Sequence, residues 1–342
     1  MKTCLILFLS LAGLLNSQIS STSGVVGFTT MTINGNAGGG SRLNFGALAM
    51  VPNQVYQGTA GGAAGTTVTD SAATWTDDAF NGPNGAHYLE VMSIGGSTVA
   101  SGVGSTYAII DCVAATGTIT LGSELAAGVT APFVFCVRKH WTISSLLGAT
   151  NSTGLQGGTP ATADQLLIWN GSRHETYYYQ TAGIGGTGWR KIGDQSSDVG
   201  GTILDPSTAM LVKRGSGTAV NVIVSGAVKS RPAFVAITKG YNYVGNPYPV
   251  SMTLASSGLY TGNTSSGIAG GTSAATSDQV LIWNGSDYTT YYYNSSAGGW
   301  RGAADAGTNA DSTSITGNSS LIVHRLNDPA FTWKIPVHPV QP

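Results

Sequence analysis

Charge is what this sequence has least of. Asp, Glu, Lys and Arg make up 9% of its 342 residues and cancel to a formal −1. With no basic patch and no acidic tail, nucleic acid and anionic membranes are poor candidate partners. Glutamate is scarcer still: Glu90, Glu124 and Glu175 are the whole set. A paired-carboxylate glycosidase needs two acids about 5–10 Å apart, and no second acid presents itself beside Glu175. The histidines (His87, His140, His174, His324, His338) show no metal-ligand spacing. G-x-S-x-G, H-E-x-x-H and Walker A patterns are absent. GIGGTG at 183–188 joins two strand-like runs with no helix after it, so it reads as a flexible turn.

Helical periodicity and long apolar runs are also missing, with one exception. In MKTCLILFLSLAGLLNSQ a Lys precedes an apolar run, Leu5–Leu15, and small polar residues follow. That is the pattern of a secretory signal peptide, with cleavage expected after Ser17. The run is too short and its sequel too polar for a comfortable membrane span, and none is expected in the mature chain. Cysteine is sparse too. Cys4 lies within the export segment, leaving Cys112 in YAIIDCVA and Cys136 in PFVFCVRK. In an oxidising compartment these two are either a disulfide or two buried thiols on adjacent strands.

What the chain does have is many short runs of Val, Ile, Thr, Tyr and Trp, broken by Gly, Ser, Asn and Asp. GFTTMTI, HYLEVMSI, TGTITL, QLLIWN and AVNVIVSG are examples. This is the pattern of short antiparallel strands, and it predicts an all-β protein. It also repeats. DQLLIWNGSRHETYYY (164–179) and DQVLIWNGSDYTTYYY (278–293) agree at twelve of sixteen positions. GWR (188–190 and 299–301), an Asp-rich loop, an apolar strand (STAMLVKR, NSSLIVHR) and a closing strand follow each copy. Segments 27–53 and 233–259 each open on a Phe-bearing strand and leave through a proline, and each is expected to feed one unit. The expected organisation is an export segment (1–17), first strands (18–55), an inserted small antiparallel barrel (56–140), and two meander units (141–238 and 239–342). The duplicated meanders are expected to pack sandwich-like, since a lone meander leaves edges and one apolar face uncovered.

Three groups are candidates for chemistry. In each TYYY the first and third tyrosines share a face. Tyr177, Tyr179 and Trp189, with their copies Tyr291, Tyr293 and Trp300, form either a sugar-stacking surface or cross-strand packing. Asp194 and Asp198 in one loop, and Asp305 and Asp311 in the other, carry oxygens that suit calcium, though Asx turns explain them equally well. WNGS at 169–172 and 283–286 scans as a glycosylation sequon, as do Asn151, Asn263, Asn294 and Asn318. The stronger reading is a two-residue Asn-Gly hairpin turn with both residues at positive φ. The copies differ at Arg173-His174-Glu175 against Asp287-Tyr288-Thr289, so a site shared by both copies cannot use these residues.

The early VVGF strand, the insertion, DQ[LV]LIWN…TYYY…GWR and the second unit together resemble a family of exported bacterial proteins of unknown function, found as paralogous sets in Verrucomicrobia-type bacteria. KGYNYVGNPYPVSMTL (239–254) is similar to the GNPYP-containing segment of Bacteroidetes secreted surface proteins. Those proteins often end in a sorting domain, which VHPVQP is not expected to supply. Both resemblances imply an exported β protein and carry over no catalytic residue. The function expected is a non-enzymatic extracellular or cell-surface structural or adhesion protein. Its partners would be extracellular polysaccharide or other surface proteins, and no cofactor is expected beyond the calcium just weighed. The alternatives are a carbohydrate-binding module and, more distantly, a polysaccharide hydrolase.

Overall fold

The computed structural model describes residues 25–36, 38–81, 86–215 and 217–337. The export segment expected at 1–17 and His338 lie outside the described residues. Alternation of apolar and polar side chains builds the strands and decides which face each one buries. In Phe331–Ile335 (FTWKI), Phe331, Trp333 and Ile335 are buried while Thr332 and Lys334 are exposed. The strand ladders are antiparallel and the chain is all-β. Among the described residues one short α-helix, Ile143–Leu147, interrupts this pattern, opened by a Thr142–Ser145 capping box. No helix among them is long and apolar enough to cross a membrane.

Among the described residues three hydrophobic cores form. One runs from Met31 to Met50 and from Ile143 to Val224, one from Ala233 to Ile335, and one from Ala60 to Val137. The second begins ahead of the boundary expected at 239, because Ala233–Ile237 pairs with Phe331–Ile335.

The first two cores share one plan. In the first unit, a five-stranded sheet runs in the order Gly188–Lys191, His174–Gln180, Gln165–Trp169, Ala209–Arg214, Arg42–Ala47. A ladder of Val26–Ile33 with Val220–Ala227 lies against it, and Trp141–Thr142 pairs with Ile203–Leu204. In the second unit the order is Gly299–Gly302, Tyr288–Asn294, Gln279–Trp283, Ser320–Arg325, Gly240–Gly245. Its ladder is Ala233–Ile237 with Phe331–Ile335, and Met252–Thr253 pairs with Ser314–Ile315.

One face of each sheet packs on its own ladder. In the first unit Leu166, Tyr177, Tyr179 and Trp189 meet Met31, Ile33, Val222 and Val224. The opposite faces meet each other. Phe45 packs on Trp283 and Tyr288 with ring centroids 4.7 and 5.2 Å apart. Tyr243, at the equivalent position of the second sheet, packs on Trp169 and His174 at 4.9 and 4.5 Å. The Ala47 amide donates to the Asn318 carbonyl (2.8 Å), and the Gly245 amide to the Ser207 carbonyl (2.9 Å). Each contact is the other with the units exchanged, as at an isologous two-fold interface. A Cβ on Gly245 would stand 2.5 Å from the Ala47 Cβ, so this glycine lets the sheets approach.

The insertion departs from expectation. Its seven strands run Gln54–Ala60, Phe133–Lys139, His87–Ile94, Thr106–Val113, Thr118–Leu121, Thr67–Thr69, Gly62–Ala64. The two end strands are consecutive in the chain, joined at Gly61, and no ladder pairs them. The small barrel expected here is thus not closed by a ladder among the described residues, and its seven strands form one sheet. It still curls around one core, since Val68 and Ile119 from one end share a cluster with Val91, Phe135 and Val137 from the other. A bulge between Ile109 and Asp111 marks the bend. Trp75 and Phe80 pack together there, as the sequence predicts, at 5.5 Å.

Candidate functional site

The repeated aromatics fall on the core side of their sheets. Tyr177 is 4% exposed, Trp189 2% and Trp300 1%; Tyr179 is buried too. Tyr291 and Tyr293 are half-buried against the second core. Tyr179 packs edge-on to Trp189 at 5.4 Å, and Tyr293 to Trp300 at 6.0 Å. A ring covered by its own core offers no face to a sugar. Tyr177, Tyr179, Trp189 and Trp300 thus carry core packing, Tyr293 stacks on Tyr260, and Tyr291 keeps part of its ring exposed, so the six do not form one sugar-stacking surface.

The repeated phrase opens on a buried acid that pairs with an arginine at the end of each unit's apolar strand. Asp164 is buried, ion-paired to Arg214, and accepts the Gln156 and Gly215 amides at 2.8 and 2.9 Å. Asp278 pairs with Arg325 in the same way and accepts the Ala269 and Leu326 amides at 2.7 and 2.8 Å. The signal was visible, because both copies open on Asp and both end their apolar strand on Arg. The hairpin turns also differ from prediction. Gly171 and Gly285 have φ of 96° and 103°, but Asn170 and Asn284 do not have positive φ. Each loop spans four residues. Asn170 caps it by accepting the Ser172 and Arg173 amides at 3.0 Å. Asn is selected there for its side chain rather than its backbone freedom.

GNPYP is structural as well. The buried Asn246 donates to the Val250 and Thr316 carbonyls and accepts the Tyr248 amide, while the Tyr248 hydroxyl donates to the Arg231 carbonyl at 2.8 Å. The Asp loops are turn caps. Asp194 accepts the Ser196 and Ser197 amides at 3.2 Å, and Asp305 those of Gly307 and Thr308 at 3.0 and 3.3 Å. Asp198 accepts from Gly200 and Asp311 from Trp300, both at 2.7 Å. Among the described residues no three His, Cys, Asp or Glu converge, and the two aspartates of each loop are occupied by backbone amides.

Cys112 and Cys136 are free and buried. Cys112 lies inside the curled sheet's core. Cys136 alternates with the inward Phe135 and Val137, so it points out of that core, towards Glu90 and Met92. Strand parity sets the two thiols on opposite sides and rules out the disulfide reading. Glu90 itself is buried between Arg138 (3.1 Å) and Lys229, which joins the insertion to the segment linking the two units. Burial pushes its carboxyl pKa up, but the Lys229 and Arg138 charges outweigh this and hold it below the ordinary value.

Two hollows remain. A cavity of about 260 Å³ lies where insertion and units meet, lined by Tyr88, His140, Asp205 and Lys229. The His140 ring stands 3.4 Å from the Asp205 carboxylate, and burial lowers its pKa. The other hollow is a groove of about 610 Å³ in the second unit, between Thr289–Tyr291 and the loop from Gly302 to Thr313. In the first unit the same position is filled. The Lys191 ammonium bridges to Glu175 at 2.7 Å, and the Tyr177 hydroxyl donates to the same carboxylate at 2.9 Å. Strand register equates Glu175 with Thr289 and Lys191 with Gly302, so the second unit lacks both side chains of this plug. Tyr291 is accordingly half-exposed where Tyr177 is buried. The sequence comparison registered the Glu-to-Thr difference; that its partner changes from Lys to Gly matters only once the strands are paired.

Comparison with protein-family models, with curated proteins and with solved structures returned no match. The fold and its hollows are therefore interpreted from their own geometry.

Proposed function

We propose that this is an exported, non-catalytic structural or adhesive protein of the cell exterior, as the resemblance to exported bacterial β proteins implies. The observation that carries it is the use the molecule makes of its carboxylates. Glu90, Asp164 and Asp278 neutralise buried cations. Glu175 braces a sheet edge. The loop aspartates cap turns. Acids committed to fixed cations and amides serve rigidity rather than proton transfer. The signal-peptide pattern at 1–17, the low charge and the polar, Gly-rich turns support the same reading.

Expression with its leader, followed by fractionation and protease shaving of intact cells, tests the location. Retention in the cytoplasm would refute export. A reproducible polysaccharide hydrolase activity abolished by one acidic substitution would refute the non-catalytic assignment. A second reading, carbohydrate binding, is favoured by the groove of the second unit, which Tyr291 lines, rather than by the repeated aromatics as a set.

A further inference from the structure

We infer that the groove of the second unit is a binding site for an uncharged, hydroxyl-rich ligand, an oligosaccharide, and that the first unit carries the same groove in plugged form. This deepens the surface-protein reading by supplying its ligand contact. Location and binding are measured separately, so either can fail alone.

The argument starts from what the two units do differently at one place. Both have the tyrosine, the neighbouring threonine and the capped Asp loop. Tyr177 and Tyr291, Thr202 and Thr313, and Asp194 and Asp305 occupy matching positions, each loop returning to its sheet through the same backbone bonds. In the first unit Glu175 and Lys191 satisfy each other and Tyr177, leaving the position closed. In the second, Thr289 and Gly302 leave a hollow of about 610 Å³, within the size range of small-ligand sites.

Its lining sets the ligand chemistry. Tyr291 contributes a half-exposed ring and hydroxyl, and among the described residues no hydrogen bond of that hydroxyl is made. Asp287 and Asp305 contribute carboxylate oxygens, which only accept, while Asn309, Thr308 and Thr313 both donate and accept. Hydroxyl groups match such a mixed set, and the exposed part of the Tyr291 ring adds apolar surface for a sugar's C–H groups. No Lys or Arg lines the groove and its two formal charges are negative, so anionic ligands are disfavoured.

The test uses the mature chain and calorimetric titration with cello-, xylo-, manno- and chitohexaose. At least one probe is expected to bind with one site per chain and an affinity insensitive to salt. Rebuilding the plug with Thr289→Glu and Gly302→Lys should weaken that binding at least about tenfold, the scale of one good hydrogen bond lost. Gly302 accepts the change, since its Cβ would meet only Asp305 backbone atoms at 3.6 and 3.8 Å. Opening the first unit with Glu175→Thr and Lys191→Gly should raise the stoichiometry towards two. Failure of all four probes to bind, or wild-type affinity in the plugged variant, overturns the inference. So does an affinity that collapses with salt, which would mark a cation site instead.

Discussion

Glu90→Gln tests the buried charge cluster that ties the insertion to the rest of the molecule. Glu90 is 1% exposed and meets two cations, Arg138 and Lys229, which are themselves buried. The substitution keeps the side chain's size but leaves two buried positive charges facing a neutral amide. Removing one partner from such a cluster costs about 3–5 kcal/mol. Lys229→Met is the informative contrast. It leaves Glu90 and Arg138 as a neutral pair and forfeits one charged hydrogen bond, about 1.5–3 kcal/mol. Glu90→Gln should therefore be the more damaging change, although both delete one group from one cluster. The assay is urea unfolding followed by tryptophan fluorescence, with Trp75 reporting from inside the insertion.

The pH dependence has a definite sign. Because the Glu90 pKa is depressed in the folded state, its stabilisation is present above the unfolded value, about 4.3, and is lost as pH falls below it. The wild type should weaken on acidification through that window, and Glu90→Gln should lack this share of the loss. Equal midpoints for Glu90→Gln and wild type, or a larger cost for Lys229→Met, would refute the reasoning.

Other consequences are as direct. Trp189→Ala and Trp300→Ala should each cost about 3–5 kcal/mol in chemical unfolding, as large buried aromatics do. Trp189→Ala should also leave saccharide titration unchanged where the protein remains folded. Gly245→Ala forces a Cβ to within 2.5 Å of Ala47, so it should loosen the contact between the units, seen as faster hydrogen exchange at the Ala47 and residue-245 amides. Reductant should not shift thermal unfolding, because both cysteines are free. Burial pushes the Cys136 thiol up to about 12, so mass spectrometry after native alkylation near pH 8 should find it unmodified.

Much of the fold was legible in one dimension. Strand identity follows from two-residue alternation, a local property, which is why FTWKI and AVNVIVSG could be read directly. The doubled phrase exposed two equivalent units, and the interruption between 27–53 and 141 exposed the insertion. What went wrong was non-local. Whether a curled sheet closes depends on the meeting of its end strands, and here the chain itself joins them at Gly61. Which face of TYYY is covered depends on the ladder of Val26–Ile33 with Val220–Ala227, more than a hundred residues away from Tyr177 at its N-terminal strand. The Asn-Gly loops were misjudged because an Asn side chain can close a four-residue turn without positive φ.

The sequence by itself determined the class of this protein: all-β, poor in charge, with a doubled phrase and one inserted unit. Those properties are written in composition and short-range period. Only the tertiary structure decided that Tyr177 and Tyr179 are core, that the Asp opening each phrase neutralises a buried Arg, and that two thiols on strands of one sheet point opposite ways. It also decided the difference between the units. Glu175 and Lys191 lie sixteen residues apart in the chain and meet only because their strands pair, so the loss of both in the second copy becomes a groove only in three dimensions.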